Sequence, residues 1–170
     1  MLGLHVYTSE GGNMSEHIWE EIVQDYLTTN RSVLVSRQYE ITDEHDWNIC
    51  PDLLAIDFAT RQIWFVEVTA GSNADKIAGK STTFQTEVVP RLRKQLAKFA
   101  IVTDDSGWRY GLWAFVREKI AESLRAKIVP HVELAKVSAL EDIACPWEYW
   151  EARRKQENIS STGGRAVATS

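Results

Sequence analysis

The chain is predicted to fold as an α/β protein with a mixed central β-sheet flanked by helices. Three observations support this class. An amphipathic helical pattern begins at Ser15, two β-branched and aromatic runs between residues 51 and 71 have the pattern of a hairpin, and a second helical pattern followed by a strand occupies residues 83–116. We therefore expect the order helix, strand, hairpin, helix and strand over residues 15–117.

The length of 170 residues indicates a single domain. We expect this domain to span residues 1–157, followed by a disordered tail at 158–170 that is rich in Ser, Thr, Gly and Ala. No apolar run approaches the roughly 20 residues of a membrane span, and the N-terminus lacks the pattern of a secretory signal. The expectation is a cytoplasmic protein with no membrane partner, in which Cys50 and Cys145 are reduced thiols.

The net charge bears on the class of partner. A formal charge of −5 argues moderately against nucleic acid, because phosphate binding depends on Lys and Arg. The objection is limited, since an acidic total can conceal a local basic face and a metal site is itself acidic.

The first helix is predicted from Ser15, a plausible N-cap, to about Thr29. Its apolar stripe consists of Ile18, Trp19, Ile22, Val23, Tyr26 and Leu27. Glu20 lies at the edge of that stripe, and Glu16 is its main competitor for a position facing the sheet. A strand at Ser32–Ile41 follows, and then a loop at 42–48 whose acids are interpreted as solvated.

The hairpin at residues 51–71 carries acids where a core would exclude them. It consists of two runs, 51–58 and 63–71, joined by a turn at 59–62, with Cys50 predicted to pack at its entry. If Phe58 pairs with Ile63, Leu54 lies opposite Glu67, and Asp52 and Glu67 become diagonal neighbours, roughly 7–8 Å apart at Cβ. Two carboxylates at this spacing can bind one cation, so the hairpin predicts a metal site.

Pro51-Asp52 followed by Glu67-Val68-Thr69 resembles the motif of the PD-(D/E)xK nuclease superfamily. The resemblance implies a restriction-endonuclease-like core of order αβββαβ with C-terminal additions. It further implies that Mg²⁺ or Mn²⁺ binds to Asp52, Glu67 and the main-chain carbonyl of Val68. Glu20, seven residues before Leu27, fits the position from which a first-helix Glu joins the metal through water.

Thr69 stands where the motif has its lysine, the residue that approaches the attacking water and the phosphate in this superfamily. A threonine hydroxyl can form a hydrogen bond but carries no charge. Some members bring a lysine in from the following helix, and Lys94 is the preferred substitute here, with Lys80 and Lys76 behind it. Asp52, Glu67, Thr69 and Lys94 are therefore the candidate catalytic residues.

The segment after the hairpin is predicted as a loop at 70–81 and a helix from Thr83 to about Ala100, with Pro90 either opening that helix or kinking it. A basic stripe of Arg91, Lys94 and Lys98 lies on this helix. It is either an ordinary solvated face or a surface for a phosphate backbone, the use that the resemblance implies.

The rest of the chain predicts further elements around the core. They are an aromatic-rich strand at 108–116, a helix at 117–128, an edge strand at 131–137 and a last helix at 146–155.

The sequence leaves two functional hypotheses. The first is a Mg²⁺- or Mn²⁺-dependent nuclease acting on nucleic acid, in the first instance DNA, with a homodimer as one possible assembly. The second is a degenerate member of the superfamily that binds nucleic acid or a protein without cleaving. An unrelated α/β domain in which both acids are incidental is a third, weaker interpretation.

Overall fold

The computed structural model describes residues 14–29, 32–42, 49–102 and 107–144. The elements are α1 (Met14–Thr28), β1 (Val33–Arg37), β2 (Leu53–Asp57), β3 (Gln62–Thr69), α2 (Asp75–Thr83), a π-helical turn (Phe84–Val88), α3 (Val89–Lys98), β4 (Arg109–Val116), α4 (Glu118–Ile128), β5 (Ala135–Ala139) and α5 (Leu140–Ala144). The predicted α/β class is confirmed. The predicted acidic loop after Thr42, the last helix and the C-terminal tail lie outside the described residues.

The five strands form one mixed sheet in the order β1-β2-β3-β4-β5. The first three strands pair antiparallel, whereas β3 pairs parallel with β4 and β4 parallel with β5. A parallel pair needs a crossover connection, and the helical segment between β3 and β4 provides it. The predicted edge strand lies at an edge of this sheet, but it begins at Ala135 rather than at His131.

Alternation along β3 divides the core between the two faces of the sheet. Trp64 and Val66 pack with α1 and α5 on one face, and Ile63 and Phe65 pack with α2, α3 and α4 on the other. The helices contribute Val23, Leu27 and Leu140 to the first face and Ile77, Leu92, Leu96, Leu124 and Ile128 to the second. None of the described helices has the length and apolarity needed to cross a bilayer.

The predicted loop at residues 70–81 is wrong in its second half, because α2 begins at Asp75. The Asn73 side chain accepts a hydrogen bond from the Asp75 amide at 2.7 Å, and Ile77 is buried. The helix continues through the π-helical turn into α3, where Pro90 occupies the first turn. A proline cannot donate to the carbonyl four residues earlier, and the widened turn lies where that bond would form.

The hairpin register also differs from the prediction by two residues. Ile63 pairs with Ile56 rather than with Phe58. The reason is the Asp57 carboxylate, which ends β2 by accepting hydrogen bonds from the Ala59 amide at 2.9 Å and the Thr60 hydroxyl at 2.8 Å. Side-chain bonds of this kind start turns, so the connecting loop is 58–61.

Candidate active site

Asp52 and Glu67 lie together at the end of the hairpin away from its turn. The pair of β2 and β3 residues farthest from the turn is Leu53 with Val66, and one further step along the same register sets Asp52 opposite Glu67. Directly opposite residues are closer than the diagonal neighbours that the sequence predicted. Both side chains belong to the face covered by α2, α3 and α4, because Glu67 follows Phe65 by two residues.

Glu67 is buried and paired with a lysine from the covering helix. Its residue is 6% exposed, and its Oε1 atom lies 2.5 Å from the Nζ atom of Lys80 in the last turn of α2. The same ammonium lies 5.6 Å from the centre of the Phe65 ring. Two contacts on one strand therefore hold the Lys80 head group against β3.

The protonation of Glu67 reflects this environment. Its pKa is raised to about 7, with burial as the largest cause; the positive charge of Lys80 lowers this pKa and the negative charge of Asp52 raises it. Removing a carboxylate from water disfavours its charged form unless a cation compensates. Glu67 is thus a carboxylate whose charge depends on a cation beside it.

Asp52 is half-buried, and a main-chain contact to β3 fixes its orientation. Its Oδ2 atom accepts a hydrogen bond from the Val68 amide at 2.6 Å. The predicted use of the Val68 carbonyl as a metal ligand stays a prediction. Thr69 accepts a hydrogen bond from the Gly71 amide at 3.3 Å, so its hydroxyl takes part in the loop that leaves β3.

Cys50 is exposed, contrary to the packing role predicted for it, and it has a free thiol. Partial burial raises the pKa of this thiol, with Glu40, Asp52 and Glu67 adding to the rise and Lys80 opposing it. These interactions indicate that Cys50 lies near Asp52 and Glu67, and that Glu40 lies near Cys50. Sequence reasoning missed Glu40, because only the fold brings it near Cys50.

Glu20 pairs with a residue of β1, and its predicted role as a metal ligand stays a prediction. Its carboxylate accepts a hydrogen bond from the Arg37 guanidinium at 3.1 Å. Helix α1 packs on the face of the sheet opposite to the one that bears Glu67. An amphipathic stripe identifies the buried side of a helix but not the face of the sheet that the helix covers.

Lys94 is also too distant to replace the motif lysine. It is exposed on α3, fourteen residues after Lys80 in one continuous helical segment. With a rise of about 1.5 Å per residue, this separation is about 20 Å along the helix axis. Lys80, the second choice from the sequence, is the lysine that contacts Glu67.

The predicted basic stripe lies on the part of this segment remote from Glu67. Arg91 is partly buried, whereas Lys94 and Lys98 are exposed. The neighbouring Arg93 packs 5.0 Å from the ring of Tyr110, near the start of β4. Binding of a phosphate backbone by the stripe stays a prediction.

A Mg²⁺ or Mn²⁺ site at the carboxylate pair stays a prediction. Among the residues described, no group of three or more His, Cys, Asp or Glu side chains is placed to hold a metal ion. Mg²⁺, however, is commonly held by one or two carboxylates together with waters and substrate phosphates. Asp52 and Glu67 meet that requirement, and Lys80 already places a positive charge beside Glu67.

No protein-family model matches the chain, and neither does any curated protein or solved structure.

Proposed function

We propose that the protein is a metal-dependent nuclease that hydrolyses phosphodiester bonds, with DNA as the first substrate to test. The observation that carries the proposal is the contact of Lys80 with the buried carboxylate of Glu67, beside Asp52. Two acids and one lysine at the end of a hairpin are the residue types that the PD-(D/E)xK motif brings together.

The order of elements supports the same proposal. The segment α1-β1-β2-β3-α2-β4 has the order αβββαβ that the resemblance implies, with three antiparallel strands followed by a parallel one. The acids also stand where the motif requires them, immediately before β2 and near the end of β3. A restriction-endonuclease-like core is accordingly part of the proposal.

Asp52 and Glu67 would hold Mg²⁺ or Mn²⁺ through their carboxylate oxygens. The bound ion would polarise the scissile phosphate and lower the pKa of the attacking water. The Val68 amide keeps Asp52 oriented, and the burial of Glu67 keeps bulk water from competing for its oxygens. Hydrolysis forms a bond from the water oxygen to phosphorus and breaks the bond from phosphorus to the leaving oxygen.

Lys80 would supply the positive charge that Thr69 lacks. Its ammonium lies at the level of Glu67, so it can donate to a phosphate oxygen or to the attacking water at that end of β3. A preorganised donor in a site of low water content stabilises developing negative charge more than the same donor in water. Thr69 can contribute only a neutral hydrogen bond. The substitution of Thr for the motif lysine is thus compensated from α2.

A second candidate is a module that binds nucleic acid or a protein without cleaving. The observation that favours it is Thr69 at the position of the motif lysine, together with the formal charge of −5. This candidate requires no metal chemistry. Its binding should depend neither on Mg²⁺ nor on Asp52, whereas cleavage by the nuclease should depend on both.

The test is cleavage of plasmid, linear, branched and single-stranded DNA, and of RNA, with Mg²⁺ or Mn²⁺. Asp52→Ala and Glu67→Ala are compared with the wild type, and Asp25→Ala, which removes an exposed acid of α1, is the control. We expect the wild type and the control to cleave and both site variants to lose at least about a hundredfold in rate. Cleavage that survives in both site variants would refute the assignment, and absence of cleavage on every substrate would favour the binding module.

A further inference from the structure

We infer that Lys80 is a built-in competitor of the metal ion. Its ammonium occupies the position at Glu67 that a metal cation would take, and it must leave that carboxylate before Mg²⁺ or Mn²⁺ can bind there. The inference rests on the proposed function and concerns the regulation of the same site. According to this inference, binding of the metal ion breaks the ion pair between Lys80 and Glu67.

The geometry makes the two cations exclusive. The Lys80 Nζ atom lies at 2.5 Å from Glu67 Oε1, a distance at which a metal ion and an ammonium cannot share one oxygen without strong repulsion. The side chain of Glu67 is only 8% exposed, and its two carboxylate oxygens are close together, so a metal ion that binds either oxygen comes near the ammonium of Lys80. An incoming ion therefore replaces the ammonium rather than joining it.

The displaced Lys80 side chain can move into solvent. Its side chain is 37% exposed, although its head group contacts Glu67 and the Phe65 ring. A lysine has a flexible four-carbon stem, so the ammonium can move towards solvent without movement of α2. The displaced charge stays at the end of β3, where a phosphate of the substrate would arrive. Metal binding would thereby release the lysine that the proposed reaction needs.

The first test measures Mn²⁺ affinity by electron paramagnetic resonance of the free ion, without substrate. Lys80→Gln removes the competing charge and keeps a polar side chain, and Lys76→Gln removes an exposed charge one turn earlier on α2. We expect Lys80→Gln to bind Mn²⁺ about tenfold more tightly than the wild type, the effect of losing one charge-assisted hydrogen bond. Lys76→Gln should change the affinity less than about twofold, since its effect is only long-range.

The second test uses the wild-type chain and therefore does not depend on the folding of a variant. Lysine acetylation by an amine-reactive ester is quantified by mass spectrometry with and without Mg²⁺. Displacement predicts that labelling of Lys80 rises on addition of Mg²⁺, while labelling of Lys76 and Lys119, both exposed, stays constant. The Glu67→Gln variant should show high Lys80 labelling without metal.

The outcomes separate this inference from the proposed function. Tighter Mn²⁺ binding by Lys80→Gln, or Mg²⁺-dependent labelling of Lys80, supports the competition. If the wild type binds Mn²⁺ and cleaves but Lys80→Gln binds no more tightly and Lys80 labelling is unchanged, the competition is wrong and the nuclease stands. If neither protein binds Mn²⁺ at millimolar concentration, the metal-dependent function and the competition both fail.

Discussion

The Nζ atom of Lys80 lies 2.5 Å from the Oε1 atom of Glu67, so one ion pair joins α2 to β3 at the end of the hairpin. A buried carboxylate and a partly exposed ammonium make an asymmetric pair, because desolvation falls mainly on Glu67. This asymmetry affects stability, metal binding and, under the proposed function, catalysis.

Because of Glu67, the free energy of unfolding measured without metal should decrease as the pH rises. Its pKa is raised from 4.5 to about 7 by burial first, so the folded state binds the proton more tightly than the unfolded chain. Stability is therefore lost between these two values as the pH increases. Compared with Glu67→Gln, the wild type should lose on the order of 1–3 kcal/mol in free energy of unfolding from about pH 5 to about pH 8.

Urea denaturation in EDTA at several pH values measures this difference. Glu122→Gln, which changes an exposed acid of α4, is the control and should show no such trend. A difference between wild type and Glu67→Gln that is constant with pH, or that changes in the wild type's favour as the pH rises, would contradict the burial argument.

Gly111 should not tolerate a side chain. A Cβ atom there would lie 2.6 Å from the main-chain oxygen of Leu134 and 2.7 Å from Cζ3 of Trp64. We expect Gly111→Ala to reduce the free energy of unfolding by about 1–3 kcal/mol, because β4 is packed between these groups. Urea denaturation measures the loss.

Gly79 provides the matched control for this prediction. A Cβ atom at this helical position meets nothing within 4 Å. Gly79→Ala should raise the free energy of unfolding by about 0.5–1 kcal/mol, because alanine loses less conformational freedom in a helix. If both substitutions change the free energy of unfolding by the same amount, the close contacts around Gly111 do not exclude a Cβ atom.

Asp57 should stabilise the hairpin turn without affecting the candidate site. Its carboxylate also accepts a hydrogen bond from Ser32 at 2.8 Å, in addition to those from Ala59 and Thr60. Burial alone would raise the pKa of Asp57, but hydrogen bonds from Thr60 and Ser32 lower it. Its contribution is thus present near neutral pH and is lost as the pH falls through the lowered pKa.

Asp57→Ala should cost about 1–3 kcal/mol at neutral pH, the range for leaving hydrogen-bond donors without their partner. Thermal unfolding at neutral and acidic pH would show a smaller difference between variant and wild type in acid. Under the proposed function, nuclease activity per folded molecule should be unchanged, because Asp57 is at the opposite end of β2 from Asp52. A stability loss that grows in acid would contradict this account.

Arg117 should fix the loop that follows β3. Its guanidinium lies 4.8 Å from the Trp19 ring, donates to the Ala70 carbonyl at 3.2 Å and pairs with Glu141 at 3.4 Å. Arg117→Met keeps the apolar stem but loses these polar contacts, so we expect a loss of about 1–2 kcal/mol. Hydrogen exchange should become faster at Gly71, and exchange as slow as in the wild type would contradict the role.

The sequence was sufficient for the fold class because apolar periodicity distinguishes helices from strands. It was insufficient for the hairpin register, which depends on the hydrogen bonds of a single side chain, Asp57. Small and polar residues made the start of α2 resemble a loop. This error favoured Lys94 over Lys80 as the substitute for the motif lysine. The surroundings of Glu20 could not be predicted, because periodicity within α1 carries no information about which face of the sheet α1 covers.

The most direct measurement is the anomalous scattering of Mn²⁺ in crystals grown with the ion at a concentration that supports cleavage. We expect one strong peak in contact with carboxylate oxygens of both Asp52 and Glu67, with the Lys80 ammonium moved away from Glu67. A peak at another site, or none between these two carboxylates while cleavage persists, would contradict it.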